Sequence, residues 1–368
     1  TIGKIDSYVT EAGFSRQSSN SNSGNVISLQ SAIYQGCLVT DENTPYCWGN
    51  GQQGMNGDQT TTTRSTPNQV YTGNMKDSIF IDGGGYHVCS IDTDSQAWCW
   101  GRNNYGQLGD DTNTQRESPV KVKNLESNIM QISVSNERSC ALSSNFEIYC
   151  WGRNNYAQAG TSGLNVIYTP VMMEGFGEMK PVMISTGQTH TCALIENGSI
   201  ACYGRASQGE MGDGSTAETP NQMRWPTLPQ GKTAISIDSG YAHICAIMND
   251  SSVYCWGEGY NGQIGNGNTG TVSTPTQILN SSYQVVGISL DFASSCAWLK
   301  NGRALCWGLN NYGHLGIGNT TQMNTPTYVM NHTMNLDAKI VMLDMGYMNA
   351  CALYDNYGVS CWGRNAGS

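Results

Sequence analysis

Fourteen cysteines stand at positions 37/47, 89/99, 140/150, 192/202, 245/255, 296/306 and 351/361. Thiols in this number could act as nucleophiles, metal ligands or disulfide partners. The members of each pair are ten positions apart, and the first members follow one another after 52, 51, 52, 53, 51 and 55 residues. A C-x9-C interval matches no usual zinc spacing. The repeat selects one pairing: Cys37 with Cys47, Cys89 with Cys99, Cys140 with Cys150, Cys192 with Cys202, Cys245 with Cys255, Cys296 with Cys306 and Cys351 with Cys361. An even spacing across a hairpin centred on residues such as Asn197 puts both side chains on one face, with Cβ atoms ~4.5–5.5 Å apart. Buried reduced thiols are the alternative. Complete pairing favours disulfides, and disulfides favour an oxidising compartment.

His87, His190 and His243 share one position, two residues before the first cysteine of their units. Three imidazoles on a ring could converge as a metal or acid–base site. Arg138, Ser294 and Asn349 take the position in other units, so a structural slot is the reading adopted. Asp110, Asp111 and Glu117 read as solvated loop acids, and Arg102, Arg153, Arg205 and Arg364 as contacts between units. Neither a nucleophile elbow nor a His-Glu-x-x-His or phosphate-binding loop occurs. No catalytic residue, metal or cofactor is expected.

These residues must be positioned by a repeating element. The chain's 368 residues would suggest two or three domains at roughly 150 each, but a period near fifty overrides that arithmetic. The fourth unit shows the grammar: an apolar run at 182–185, Gly187, His190-Thr-Cys192-Ala-Leu, an Asn197-Gly198 turn, Ser-Ile-Ala-Cys202, then Thr219-Pro220. Short apolar runs split by Gly and Asn-Gly turns are strand and hairpin signals. Most units continue from the second cysteine into Trp-Gly, a glycine-rich turn and a Thr-Pro or Ser-Pro, with the proline at a strand's first position. The expectation is all-β: a seven-bladed propeller of four-stranded antiparallel blades with one disulfide inside each. A seven-turn solenoid is the alternative.

The ends favour a ring. The seventh unit stops at Cys361-Trp-Gly-Arg-Asn-Ala-Gly-Ser368, without the last strand, while residues 1–25 precede the first. Residues 26–368 are therefore read as one propeller domain. Residues 1–25 are read as a strand donor to blade seven, through Ile5 or Tyr8-Val9, in the same or a neighbouring chain. A targeting sequence, if one existed, is expected to have been removed or left out.

Cys99-Trp-Gly-Arg-Asn-Asn-Tyr-Gly-Gln-Leu-Gly109 recurs as Cys306-Trp-Gly-Leu-Asn-Asn-Tyr-Gly-His-Leu-Gly316. With Gly-x-x-His-x-Cys-Ala-Leu before such segments, about residues 26–368 resemble the regulator of chromosome condensation repeat family. The resemblance implies a seven-bladed propeller. The family's founding member is a nuclear guanine nucleotide exchange factor, and another is a secreted inhibitor of β-lactamases, so fold implies little about function. Unit lengths here leave no room for the exchange factor's wedge-like insertion, and residues 1–36 lack its basic tail.

Composition narrows the function. A net charge of −10 argues against nucleic acid, and no apolar stretch approaches the ~18 residues of a membrane span. Charged residues are 12% of the chain, about half the usual ~25%. Asn197, Asn249, Asn280, Asn319 and Asn331 open glycosylation sequons at hairpin tips or connecting loops, unmodified turn asparagines being the alternative. The reading is a secreted, non-catalytic structural or interaction protein. Its partner is a protein, with another copy of itself in a head-to-tail assembly as one form. A secreted binding module or enzyme inhibitor using one face is the competitor, with Trp225 and Trp298 then exposed together. An exchange-factor-like regulator ranks third.

Overall fold

A computed structural model of the chain describes residues 24–33, 35–125, 128–219, 221–330 and 338–364. Its strands form seven antiparallel sheets in chain order, five of four strands and two of three. Blade two sets the pattern, with Ser78–Gly83, His87–Asp92, Ala97–Gly101 and Arg116–Lys121 hydrogen-bonded in that order. First strands line the axis and fourth strands lie at the rim. Second strands are buried along their whole length in blades one to five, because each blade is covered on both faces by its neighbours.

All fourteen cysteines form the seven expected disulfides. Cysteine faces cysteine across the second and third strands, as in Cys89↔Cys99. Their Cα atoms lie 4.1 Å apart in every blade, close to the spacing of a non-hydrogen-bonded antiparallel pair.

The prolines depart from expectation. Pro67, Pro119, Pro275 and Pro326 sit inside the fourth strands, not at their first residue. In the first case the pairing jumps from Cys47↔Asn68 to Gly49↔Arg64, and Pro67 falls within that irregularity. An edge strand tolerates proline there because a missing N–H breaks no ladder bond. Blade four replaces its fourth strand by a single bridge between Cys202 and Arg224. Arg224 folds inward instead, onto Asp213 and the Ala217 carbonyl.

The Cys-Trp-Gly tryptophans join the blades. The indole N–H of Trp100 donates to the Met55 carbonyl, Trp151 to Gln107, Trp256 to Glu210 and Trp307 to Gln263, at 2.8–3.0 Å. Each bond reaches the preceding blade, and all four rings are fully buried. Gly109 shows why the turn ends in glycine: its φ is +66°, and a Cβ there would stand 2.9 Å from Trp151 Nε1. Gly109→Ala is expected to destabilise the protein by about 2 kcal/mol, read as a lower urea midpoint at unchanged slope.

Asp110 corrects the reading of a solvated acid. Its side chain is 2% exposed and pairs with Arg116 at 2.6 Å. It also accepts from Asn103 Nδ2 and from Thr112. The neighbouring Asp111 and Glu117 are exposed. Asp58 with Arg64 and Asp213 with Arg224 repeat the clamp, which braces the glycine-rich loop against the rim strand or, in blade four, against the bridged segment at Arg224.

Candidate functional site

The meander gives the ring two faces. Loops joining first to second and third to fourth strands share one face. Hairpin turns and blade-to-blade connections share the other.

A polar belt circles the axis just inside the loop face. It uses the fifth residue of each first strand: Gln30, Asp82, Ser133, Ser185, Asp238, Ser289 and Asp344. Asp82 accepts from Val134 N at 2.8 Å, Ser133 from Thr186 N at 3.0 Å, Asp238 from Leu290 N at 2.7 Å and Ser289 from Met345 N at 2.9 Å. Asp344 of blade seven accepts from Ser31 N of blade one, and Ser31 Oγ donates to Asn349. The ring thus closes through its inner strands. Burial pushes Asp82 up to about 7 and Asp238 up to about 6. It raises Asp344 well above the usual carboxylate range, with repulsion from Asp82 and Asp238 adding to it.

Above the belt lies an axial cavity of about 90 Å³, walled by the strand ends and following turns of all seven blades. Tyr241, Phe292 and Tyr347, from successive blades, form one wall. Ring centroids are 4.7 Å apart for the first pair and 4.6 Å for the second. Asp291 lies beside Phe292 in the same turn, and burial pushes its carboxyl up to about 8.

His87, His190 and His243 do not meet at the axis. All three are fully buried in the seams between blades. His87 Nε2 lies 2.7 Å from Ser139 Oγ and His243 Nε2 lies 2.9 Å from Ser295 Oγ, each on the next blade. Arg138 uses the same slot to donate to the Gly187 and His190 carbonyls. Burial holds the three imidazoles down to about 3, hence neutral. Among the described residues no group of three or more His, Cys, Asp or Glu is arranged to hold a metal.

The arginines after Trp-Gly, or after Tyr203-Gly204 in blade four, make contacts between blades in three cases of four. Arg153 lies over Tyr105, Arg205 over Tyr156 and Arg364 over Tyr312, at 5.1–5.8 Å from the ring centres. Arg102 stacks on Tyr86 of its own blade. Trp225 is exposed, but Trp298 is half-buried with its ring over Gly287, so the structure does not present them together. Asn197, Asn249, Asn280 and Asn319 are all exposed. The first three belong to the hairpin face and Asn319 to a loop between third and fourth strands. Asn331, Ile5, Tyr8 and Val9 lie outside the described residues.

Sequence reasoning missed the belt, Asp291 and the aromatic wall. A signal existed for the belt: a polar residue recurs near the end of every first apolar run. The aromatic wall had one as well: Tyr241, Phe292 and Tyr347 each stand four residues before the first cysteine of three successive units.

These features define a disulfide-stapled seven-bladed propeller with an axial pocket open on its loop face. The regulator of chromosome condensation (RCC1) repeat model matches residues 94–142, 147–194, 250–290 and 301–353, and a second model of that repeat matches 79–107, 129–158 and 234–263. The chain belongs to this family. It is similar to the ultraviolet-B receptor UVR8 of Arabidopsis thaliana, with 24% identity over 86% of this chain and 72% of that protein. It is 30% identical to the probable E3 ubiquitin-protein ligase HERC4 of Homo sapiens over 63% of this chain, which spans 22% of that protein. Among solved structures, human WBSCR16 aligns with a TM-score of 0.80 at 17% identity over 91% of this chain and 88% of the other. Yeast RCC1 (Prp20), in complex with Kap60, aligns with a TM-score of 0.76 at 20% identity over 95% and 85%. Such propellers point to protein–protein interaction. The seven disulfides suit an oxidising, extracellular environment, and no helix among the described residues is long and apolar enough to cross a membrane.

Proposed function

We propose that the chain is a secreted, non-catalytic interaction protein that assembles head to tail. Residues 1–14 of one protomer, centred on Ile5, Tyr8 and Val9, add a strand to blade seven of the next. One observation carries this reading. Blade seven has three strands among the described residues, and Cys361 on its outermost strand is exposed, whereas the equivalent cysteine of every other blade is fully buried. An uncovered strand edge recruits another strand. Ring closure at Asp344 and Ser31 uses inner strands, so the donor is not required as a clasp. Because donor and acceptor differ, the contact is heterologous and propagates as a filament. Glycans on Asn197, Asn249, Asn280, Asn319 and Asn331 would keep the surfaces that carry them in solvent.

Electron microscopy and intact mass of the native material test this together. Filaments that vanish on deletion of residues 1–14, with the monomer still folded, are the expected result. Monodisperse monomers under every condition refute assembly, and a mass equal to the bare polypeptide refutes glycosylation.

A second reading is a binding module that docks a protein on the loop face. The aromatic wall of Tyr241, Phe292 and Tyr347, partly exposed at the mouth, favours it. Partly exposed aromatic clusters are common anchors in interfaces.

A further inference from the structure

The axial pocket carries a chemical asymmetry that the fold does not require. None of the described residues lining it is Lys, Arg or His, and its single carboxylate is Asp291. Blade six alone places an acid at this turn position; the other blades have Ala32, Gly84, Ser135, Gly187, Gly240 and Gly346. Asp291 is 8% exposed. Its Oδ1 is saturated by Ala293 N at 3.1 Å, Ser294 N at 2.9 Å and Ser294 Oγ at 2.8 Å. Its Oδ2 has no hydrogen-bond partner. A buried acceptor left unmade weakens the fold unless something satisfies it.

The surroundings say what would satisfy it. Phe292, the residue after Asp291, is the central ring of the aromatic wall. The belt carboxyls Asp238 and Asp344 lie one residue down the strand from the pocket-lining Ser239 and Met345. An acidic group beside a cluster of rings packed edge-to-face, 61° and 58° apart in plane, over further acids, suits a planar cation that can both lie on a ring face and donate. About 90 Å³ holds a few waters or one such head group, and is too small for a nucleotide.

We propose that the axial pocket receives an arginine side chain from a protein partner docked on the loop face. This rests on the second reading above and adds the partner's chemistry to it. The guanidinium lies against the Tyr241–Phe292–Tyr347 wall and donates to Asp291 Oδ2. The chain's net charge of −10 draws a basic partner toward the mouth.

Calorimetric titration of the full chain with the blocked tripeptide Gly-Arg-Gly tests it. The titration is run at pH 9, above the value of about 8 to which burial raises Asp291. The same peptide with citrulline for arginine is the neutral control, and tetramethylammonium is the small-cation control. The arginine peptide is expected to bind at least tenfold more tightly than either. Asp291→Asn should remove at least tenfold of that affinity, and Phe292→Leu at least threefold, with both variants still folded at pH 9. Equal binding of the citrulline peptide, or tighter binding of tetramethylammonium, overturns the proposal. So does unaltered affinity in Asp291→Asn or, should that variant not fold, in Phe292→Leu. Hydroxyl-radical footprinting of Tyr241 and Tyr347 in native material separates the two levels. Protected tyrosines without arginine binding end the arginine proposal and leave the loop-face reading standing; unprotected tyrosines end both.

Discussion

Raising the pH from 6 to 9 is expected to lower the melting temperature of the ring by on the order of 10 °C. Burial holds Asp82 and Glu210 at about 7 and Asp291 at about 8, and raises Asp344 well above the ordinary range. An unfolded carboxyl titrates near 4, so the folded chain binds the extra protons. Stability from these groups is complete below about pH 4 and is lost as pH rises through 7 and 8. Water in the channel reaches Asp82 and Asp344, which are partly exposed, and moderates the sum to roughly 5 kcal/mol. The histidines act on the other side. His87, His190 and His243 are held near 3 and His314 near 4, against about 6.5 unfolded. Their contribution is complete above about 6.5 and is lost as pH falls. It opposes the carboxyl gain there, so the acid limb is shallow and the alkaline limb steep. Differential scanning calorimetry at constant ionic strength checks the shape. A flat profile from pH 6 to 9 would mean that the belt and Asp291 ionise as surface groups do.

Mild reduction without denaturant is expected to open Cys351–Cys361 first and alone. A thiolate must reach a sulfur to exchange with it. Cys361 is exposed, while the cysteines of blades one to six are fully buried. Alkylation followed by peptide mapping should label Cys351 and Cys361, leaving six bonds intact until the ring unfolds. Losing one eleven-residue staple costs about 3 kcal/mol, less where the hairpin already favours closure. Losing all seven exceeds the ~5–15 kcal/mol that typically separates folded from unfolded chains, so full reduction should unfold the protein. Early labelling of any pair in blades one to six would show that the seams open more readily than the edge of blade seven.

Repeat number, strand grammar and disulfide pairing were legible because each is local and occurs seven times. Cys89 and Cys99 face each other because ten residues make one hairpin, and nothing outside the blade enters. The histidine slot was legible as structural for the same reason: it recurs, and it tolerates substitution. Errors came where a side chain answers to a neighbouring element. Asp110 looked like a loop acid because Arg116 and Asn103, which bury it, are separated from it by turns that local patterning does not resolve. Pro67 was placed at a strand start because a bulge in the rim strand has no marker of its own.

By itself the sequence determined the class of fold, the count of blades and the seven staples, since periodic hydrophobicity and paired cysteines act within fifty residues. Only the tertiary structure decided the site. It drew Tyr241, Phe292 and Tyr347 from three blades into one wall, left Asp291 Oδ2 unpaired beside them, and set three carboxyls near one another around the axis. Ring closure did this. Positions equivalent along the chain become neighbours around an axis, and non-equivalent residues at those positions then meet, giving the pocket a chemistry that no single repeat contains.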